Sequence, residues 1–398
     1  MKDHFYNARP DSPFYKSKIL HVSLGEKDAS YMSGSYKYYK ENSISYTDLN
    51  DIAYDKKVLH KSLIMFLKNM NFTLLKEMFV YGIWYLLLSV FIFKRIRRCC
   101  MIFSQFKNLK VALVGYEFLF PKYLAAALTM LDIKICATEE RFIMAFFPDN
   151  YLIMDYYFVA GDIIREPCLK TSKVNNFLPV GLVRVDNLYK YEKKHIYDEK
   201  YDSIKKTKKL VMALDFYLPA NDIDDTLRPA AKAYETIQFY KCLIKLANEF
   251  PSLYIVIKGK EADSYKSRYI IDLVEVINGT ENMEIELDYA RYNPYFIGEK
   301  VDLTIACHTS LCDELLAAGR KVIIYEITDR LDTLFNYNKL PIIADSYEIL
   351  KYHVQNFING VYLDKDTIEK IKKEFYSDCY HGNVAKNIRL ELEKIIAG

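Results

Sequence analysis

Three clusters in the C-terminal half carry residue types that suit a phosphate ester. Lys258-Gly259-Lys260 follows the apolar run LYIVI, where a glycine lets backbone approach a ligand and two flanking ammonium groups suit phosphate. His308-Thr309-Ser310 follows the run VDLTIA and precedes a helical pattern, so hydroxyls and free N–H groups converge on one spot. Glu314 stands one turn further on, in the pattern E-x-x-A-x-G with Ala317 and Gly319, where a carboxylate can accept from the two hydroxyls of a ribose. Each cluster alone also fits a plain capped helix or a solvated charge. In this order, after these strands, the three together point to nucleotide binding.

The elements that must position them are legible around Lys300 to Ile324. Val301 to Ala306 reads as a buried parallel strand, Leu311 to Ala318 as a helical face stopped by Gly319, and Lys321 to Tyr325 as the next strand. The same alternation surrounds it: strands at Leu210–Leu214 and Leu253–Lys258, a helix over Ala230–Phe250, and a weaker strand near Met283–Leu287. Pro341 to Ala344 adds a last strand, and Asp366–Phe375 and Asn383–Ile396 close the chain as amphipathic helices.

The N-terminal half repeats the rhythm, with strands at Lys18–Leu24, Ser43–Tyr46, Leu109–Gly115, Ile133–Ala137, Tyr156–Ala160 and Leu178–Val180. Helices are expected at Val58–Met70 and Pro121–Leu131. Strands alternating with helices mean parallel pairing. Asn187 to Lys209 is dense in charge without an apolar period and reads as a linker with helical pieces.

The 398 residues exceed one hydrophobic core and suit two domains. With 51% apolar and 27% charged residues the chain is globular. A net charge of +3 gives no global pull toward nucleic acid. Eight scattered cysteines form neither a CxxC pair nor a zinc spacing with histidine, which suits a reduced cytosolic protein and no metal site. The N-terminus lacks the apolar core of a secretory signal, so export is not expected.

One stretch stands apart. Met78 to Phe93 carries no charge and holds the only tryptophan, and the basic run Lys94, Arg95, Ile96, Arg97, Arg98 follows at once. Sixteen uncharged residues fall short of the roughly 20 that cross a bilayer. A helix lying on the inner membrane surface, a buried helix with a solvated basic tail, and a true span all remain open.

VDLTIACHTSLCDELLAAGRKVII resembles the donor-binding stretch of GT-B glycosyltransferases, and LYIVIKGK is similar to the phosphate-motif strand of bacterial capsule, polysialic-acid and CDP-glycerol-type polymer transferases. FLPVGLVRVDNL resembles the G-x-x-R-x-D-x-L segment closing their N-terminal domain. ATEERF and DYYFVAG are similar to N-domain stretches of surface-polysaccharide transferases. This chain departs from the pattern in having Gly259-Lys260 for His-Pro and His-Thr-Ser for the commoner Ser-Ser or Ser-Thr turn.

The resemblance implies an α/β fold of two Rossmann-like domains facing across a cleft. Residues 1–190 form an acceptor domain with a membrane-associating helix at 78–98, 191–208 a linker, and 209–398 a donor domain with closing helices. It implies metal-independent transfer, with no cofactor, from a nucleotide-sugar to a glycan or lipid-linked acceptor in surface-polysaccharide synthesis, at the inner face of the cytoplasmic membrane. Lys258, Gly259, Lys260, His308, Thr309, Ser310 and Glu314 would hold the donor, and Glu139, Glu140 or Glu117 would take the acceptor's proton. Asp222 and Asp224 resemble a metal-binding D-x-D, yet the resemblance requires no metal and they read as surface charge. A UDP-sugar 2-epimerase of the same shape, or a non-catalytic nucleotide-binding scaffold at the membrane, are the alternatives.

Overall fold

The computed structural model describes residues 18–23, 43–45, 72–114, 120–139, 151–194, 197–215, 233–259, 262–288, 291–307, 309–326, 339–378 and 382–398. They fall into two compact units, one holding the described residues up to 139 with 151–183 and 385–398, the other those of 184–384.

The first unit runs β1 (Ile19–Ser23), β2 (Ser43–Ser45), α1 (Phe72–Phe103), β3 (Val111–Val114), α2 (Lys122–Met130), β4 (Lys134–Thr138), β5 (Ile153–Val159), α3 (Arg165–Leu169) and β6 (Lys173–Pro179). Its sheet is parallel throughout, in the order β2-β1-β3-β4-β5-β6. All four residues of β3 are buried, as befits a central strand covered on both faces. β6 is longer than the apolar pattern suggests, because it lies at the sheet edge and exposes Lys173, Asn175 and Asn176 while burying Val174 and Phe177.

The second unit begins with α4 (Val185–Lys194) and α5 (Glu199–Ile204), followed by β7 (Lys209–Leu214), α6 (Ala233–Glu249), β8 (Leu253–Lys258), α7 (Ile271–Asn278), β9 (Met283–Ile285) and α8 (Pro294–Lys300). It continues with β10 (Leu303–Ala306), α9 (Leu311–Ala317), β11 (Val322–Tyr325), β12 (Ile343–Ala344), α10 (Tyr347–Ile358) and α11 (Lys365–Lys370), which runs into a π turn at Ile371–Phe375. The strands pair in parallel in the order β12-β11-β10-β7-β8-β9. The order therefore reverses between β7 and β10, the switch point at which open α/β sheets leave a crevice beyond the strand ends.

Two features differ from the sequence reading. The final helix, α12 (Val384–Ala397), belongs from Ala385 onward to the first unit and does not close the second. The charge-rich stretch read as a linker is two helices packed into the second unit. Tyr201 of α5 is fully buried and donates to Glu286 Oε2 at 2.9 Å, while Lys200 Nζ reaches the same oxygen at 2.8 Å. Tyr292 and Arg291 both bond Asp198, the N-cap of α5. Tyr201→Phe is expected to cost about 1.5 kcal/mol, the value of a hydrogen bond to a charged group, measured as a lowered urea midpoint with unchanged m. An unshifted midpoint would remove Tyr201 from the support of this edge.

Val58–Met70 lies outside the described residues. α1 is broken at Gly82, whose φ of 77° suits glycine. No described helix is long and apolar enough to cross a membrane.

Candidate functional site

In the second unit, the parallel register sets Leu214 of β7 beside Lys258 of β8, so Asp215 and Gly259 leave the sheet side by side. Asp215 is buried and accepts a short hydrogen bond from the Tyr240 hydroxyl, with the Tyr265 hydroxyl close by. Burial pushes its carboxyl up to about 7, against the lowering effect of the Tyr240 hydroxyl. A Cβ on Gly259 would overlap the Tyr265 hydroxyl and lie 3.0 Å from Asp215 Oδ1. Glycine is required because the backbone runs directly against this polar cluster.

Cys307 follows β10 on the other side of the switch, its N–H donating to Leu214 O at 3.3 Å. Burial, then the nearby carboxylates of Asp215 and Glu326, hold its thiol well above the usual range. A buried, protonated thiol there is no nucleophile. The carboxyl edge of β7, β10 and β11 therefore carries acids, Asp215 and Glu326, directly after the strands.

Lys258 points elsewhere. Successive strand residues face opposite sides, and its ammonium, 1% exposed, donates to the Glu286 carbonyl at 3.4 Å. Burial lowers it to about 8 in spite of the charges of Glu286 and Asp288. It is thus packed beside the Lys200–Glu286–Tyr201 network. β8 is two strands from β10, roughly 10 Å at ordinary spacing, so Lys258 and the start of α9 address different parts of the edge.

At α9 the capping differs from the expectation for a Ser-Thr turn. Ser310 occupies the N-cap with helical φ and ψ and no side-chain cap bond, while Thr309 Oγ1 stands 3.5 Å from the Leu311 N–H. Both residues are half-buried. Gly319, at φ 71°, ends the helix in a Schellman arrangement, with Arg320 N donating to Leu315 O at 2.8 Å and Gly319 N to Leu316 O at 2.9 Å. Glu314 is buried, bonded by the Tyr295 hydroxyl and set 3.8 Å from Arg184 Nη1. Two segments far apart in the sequence, the G-x-x-R-x-D stretch and the E-x-x-A-x-G helix, are thereby tied together inside one unit. Asp186 of the same stretch accepts from Val384 N at 3.3 Å at the start of α12.

In the first unit the carboxyl end of β4 leads into Glu139. Its N–H donates to Phe158 O at 2.8 Å, its Oε2 accepts from Ala160 N at 2.7 Å, and its Oε1 has no hydrogen-bond partner among the described residues. Burial pushes this carboxyl up to about 8, against the lowering effect of the Ala160 amide. The group changes charge near neutral pH, as a proton-transferring residue must.

Glu117, Glu140, Lys260, His308, Asp222 and Asp224 lie outside the described residues. The sequence reading missed Asp215, Tyr240 and Tyr265; the available signal was an acid directly after the wholly apolar strand LVMAL. Among the described residues, no group of three or more His, Cys, Asp or Glu is placed to hold a metal ion.

No family model and no curated protein matches the sequence. Solved structures do. A putative UDP-N-acetylglucosamine 2-epimerase from Listeria monocytogenes superposes at a TM-score of 0.56 with 10% identity, over 95% of this chain and 96% of that one. The Neisseria meningitidis UDP-GlcNAc 2-epimerase bound to UDP-GlcNAc gives 0.53 with 12% identity over 95% and 100%. The MnaA–UDP structure from S. aureus gives 0.53 with 11% identity over 96% and 97%. At such identities the likeness shows the fold. This chain has the two-parallel-sheet α/β architecture of the GT-B class.

Proposed function

We propose that this chain binds a nucleotide-sugar through its second unit and transfers the sugar to a surface-glycan acceptor. The observation that carries the donor half is the strand switch at β7 and β10, with Gly259 and Thr309-Ser310 at its edge. A glycine whose backbone must stay bare, a serine hydroxyl not used in capping, and a crevice beyond strand ends are what a nucleotide diphosphate needs. Glu314 would contact the ribose only by sharing its carboxylate with Arg184 and Tyr295. In transfer, the bond from the sugar carbon to the phosphate oxygen breaks and one to the acceptor oxygen forms. The acceptor's proton passes to a carboxylate, and the role falls to Glu139.

The full-length likeness to UDP-GlcNAc 2-epimerases supports a second reading, epimerisation of a UDP-sugar. Turnover without any acceptor would favour it; sugar release into product only when an acceptor glycan is present favours transfer.

The binding step is tested by thermal shift with CMP, UDP and GDP. One nucleotide at about 100 times its Kd is expected to stabilise the protein by about 2.7 kcal/mol. The shift should be larger at pH 6 than at pH 8, because Asp215 is neutral below its value of about 7 and then does not repel phosphate. No shift with any of the three would sink the donor site.

A further inference from the structure

α1 is anchored at one end and bare at the other. Its last five residues, Cys99 to Phe103, are all buried in the first unit, and Cys100 Sγ reaches Ala127 O of α2 at 3.9 Å. Toward the N-terminal side, Trp84 is 79% exposed, with Leu87, Leu88 and Phe91 each more than half exposed. The spacing i, i+3, i+4, i+7 puts these four on one helix face. Single exposed apolar residues need no explanation, but a contiguous stripe ending in a tryptophan does.

The same face continues through positions 95 and 98, both arginine. Arg95 lies with its guanidinium carbon 4.7 Å from the Phe91 ring centroid and 5.4 Å from that of Tyr123. Lys94 beside it is exposed. From Met78 to Tyr116 the sequence has six lysines and arginines and no acid. Apolar tip and cationic collar therefore succeed one another along one helix.

We propose that α1 docks this chain on an anionic lipid surface. Trp84, Leu87, Leu88 and Phe91 enter the acyl–headgroup boundary, and Lys94 and Arg95 meet lipid phosphates. Between Trp84 and Arg95 the helix rises about 16 Å, half the roughly 30 Å of a hydrocarbon core, so it dips in and does not cross. Charge selects this occupant: a second copy of the chain would set like charge against like, whereas an anionic leaflet attracts each cation. Cys99 and Cys100, buried and with thiols raised to about 12 and about 11 chiefly by burial, lend no acyl anchor.

The single tryptophan makes the test direct. With the full chain, Trp84 emission should shift to the blue on adding mixed phosphatidylcholine–phosphatidylglycerol vesicles, be quenched by brominated lipid, and respond little to phosphatidylcholine alone. Lys94→Gln with Arg95→Gln should weaken partitioning by about tenfold or more, as should added salt. Leu88→Gln with Phe91→Gln should abolish the shift while leaving the thermal melt in place. Unchanged Trp84 emission of the unaltered chain on mixed vesicles overturns the proposal. So does equal binding to neutral vesicles, or a concentration-dependent dimer that Leu88→Gln and Phe91→Gln disperse.

Discussion

Glu139→Gln is expected to slow turnover by about 10²–10⁴ and to change its effect on stability from unfavourable at about pH 5 to favourable at about pH 9. The sign follows from the raised value. In the unfolded chain this carboxyl titrates near 4.3, and in the folded protein near 8. Below the first value both states are protonated and the group costs nothing through ionisation. Between the two the unfolded chain has lost its proton and the folded one has not, so stability falls as pH rises. Above about 8 the full penalty applies, of order 5 kcal/mol for a shift of this size.

Glutamine has no charge to expose. Its carbonyl can still accept from the Ala160 N–H, but its NH₂ then stands where Oε1 has no partner among the described residues, at a cost of about 1–3 kcal/mol. The variant should therefore melt below wild type at about pH 5 and above it at about pH 9, a crossing of two Tm curves. Parallel curves would show that Glu139 does not titrate in this range. If it is the group that receives the acceptor's proton, wild-type kcat/KM rises with pH to a plateau above about 8, and the variant loses about 10²–10⁴ in rate. A variant that crosses in stability but keeps its rate would make Glu139 structural and send the search for the base to other residues.

How much of this was legible follows from what each residue has to satisfy. Strands buried on both faces spell themselves as apolar runs, and LYIVIK at β8 and LVMAL in β7 coincide with the observed strands almost to the residue. Edge elements do not, because half of each faces water; hence β6 extends five residues before its apolar end and α10 was not read at all. α10 carries the usual signs, Ser346 at the N-cap and buried Leu350, Val354 and Phe357 at spacings of four and three, but its exposed residues dilute the pattern. α8 likewise announces itself through Asn293, which caps it, and Pro294 in its first turn.

The site was legible as positions, less so as orientations. Gly259, Thr309, Ser310 and Glu314 stand after the strands that the sequence suggests. A strand's alternation then decides which side Lys258 faces, and the register with β9 decides that it meets Glu286. Neither is contained in the local string KGK. The tyrosines about Asp215 come from α6 and from the turn after β8, distances along the chain that no short motif spans. The salt bridge from Arg184 to Glu314 joins two motifs that look independent in the sequence.

Gly259→Ala is expected to be the most damaging small substitution at the switch point. The added methyl group would overlap the Tyr265 hydroxyl, lie 2.9 Å from the same ring's Cζ and stand 3.0 Å from Asp215 Oδ1. Tyr265 is part of the buried core and cannot swing into water. Either the strand end shifts or the tyrosine does, and in the second case the buried ring packed beside Asp215 is displaced. Overpacking costs about 1–3 kcal/mol, so a loss of about 2 kcal/mol is expected, together with loss of the nucleotide-induced Tm shift. Tyr265→Phe in the same chain removes the overlapping oxygen. The double variant should be more stable than the sum of the single losses, with a coupling of about 1 kcal/mol or more in a denaturation cycle. Simple additivity would mean that the methyl group finds room elsewhere, and that the bare backbone at Gly259 is not what the polar cluster requires.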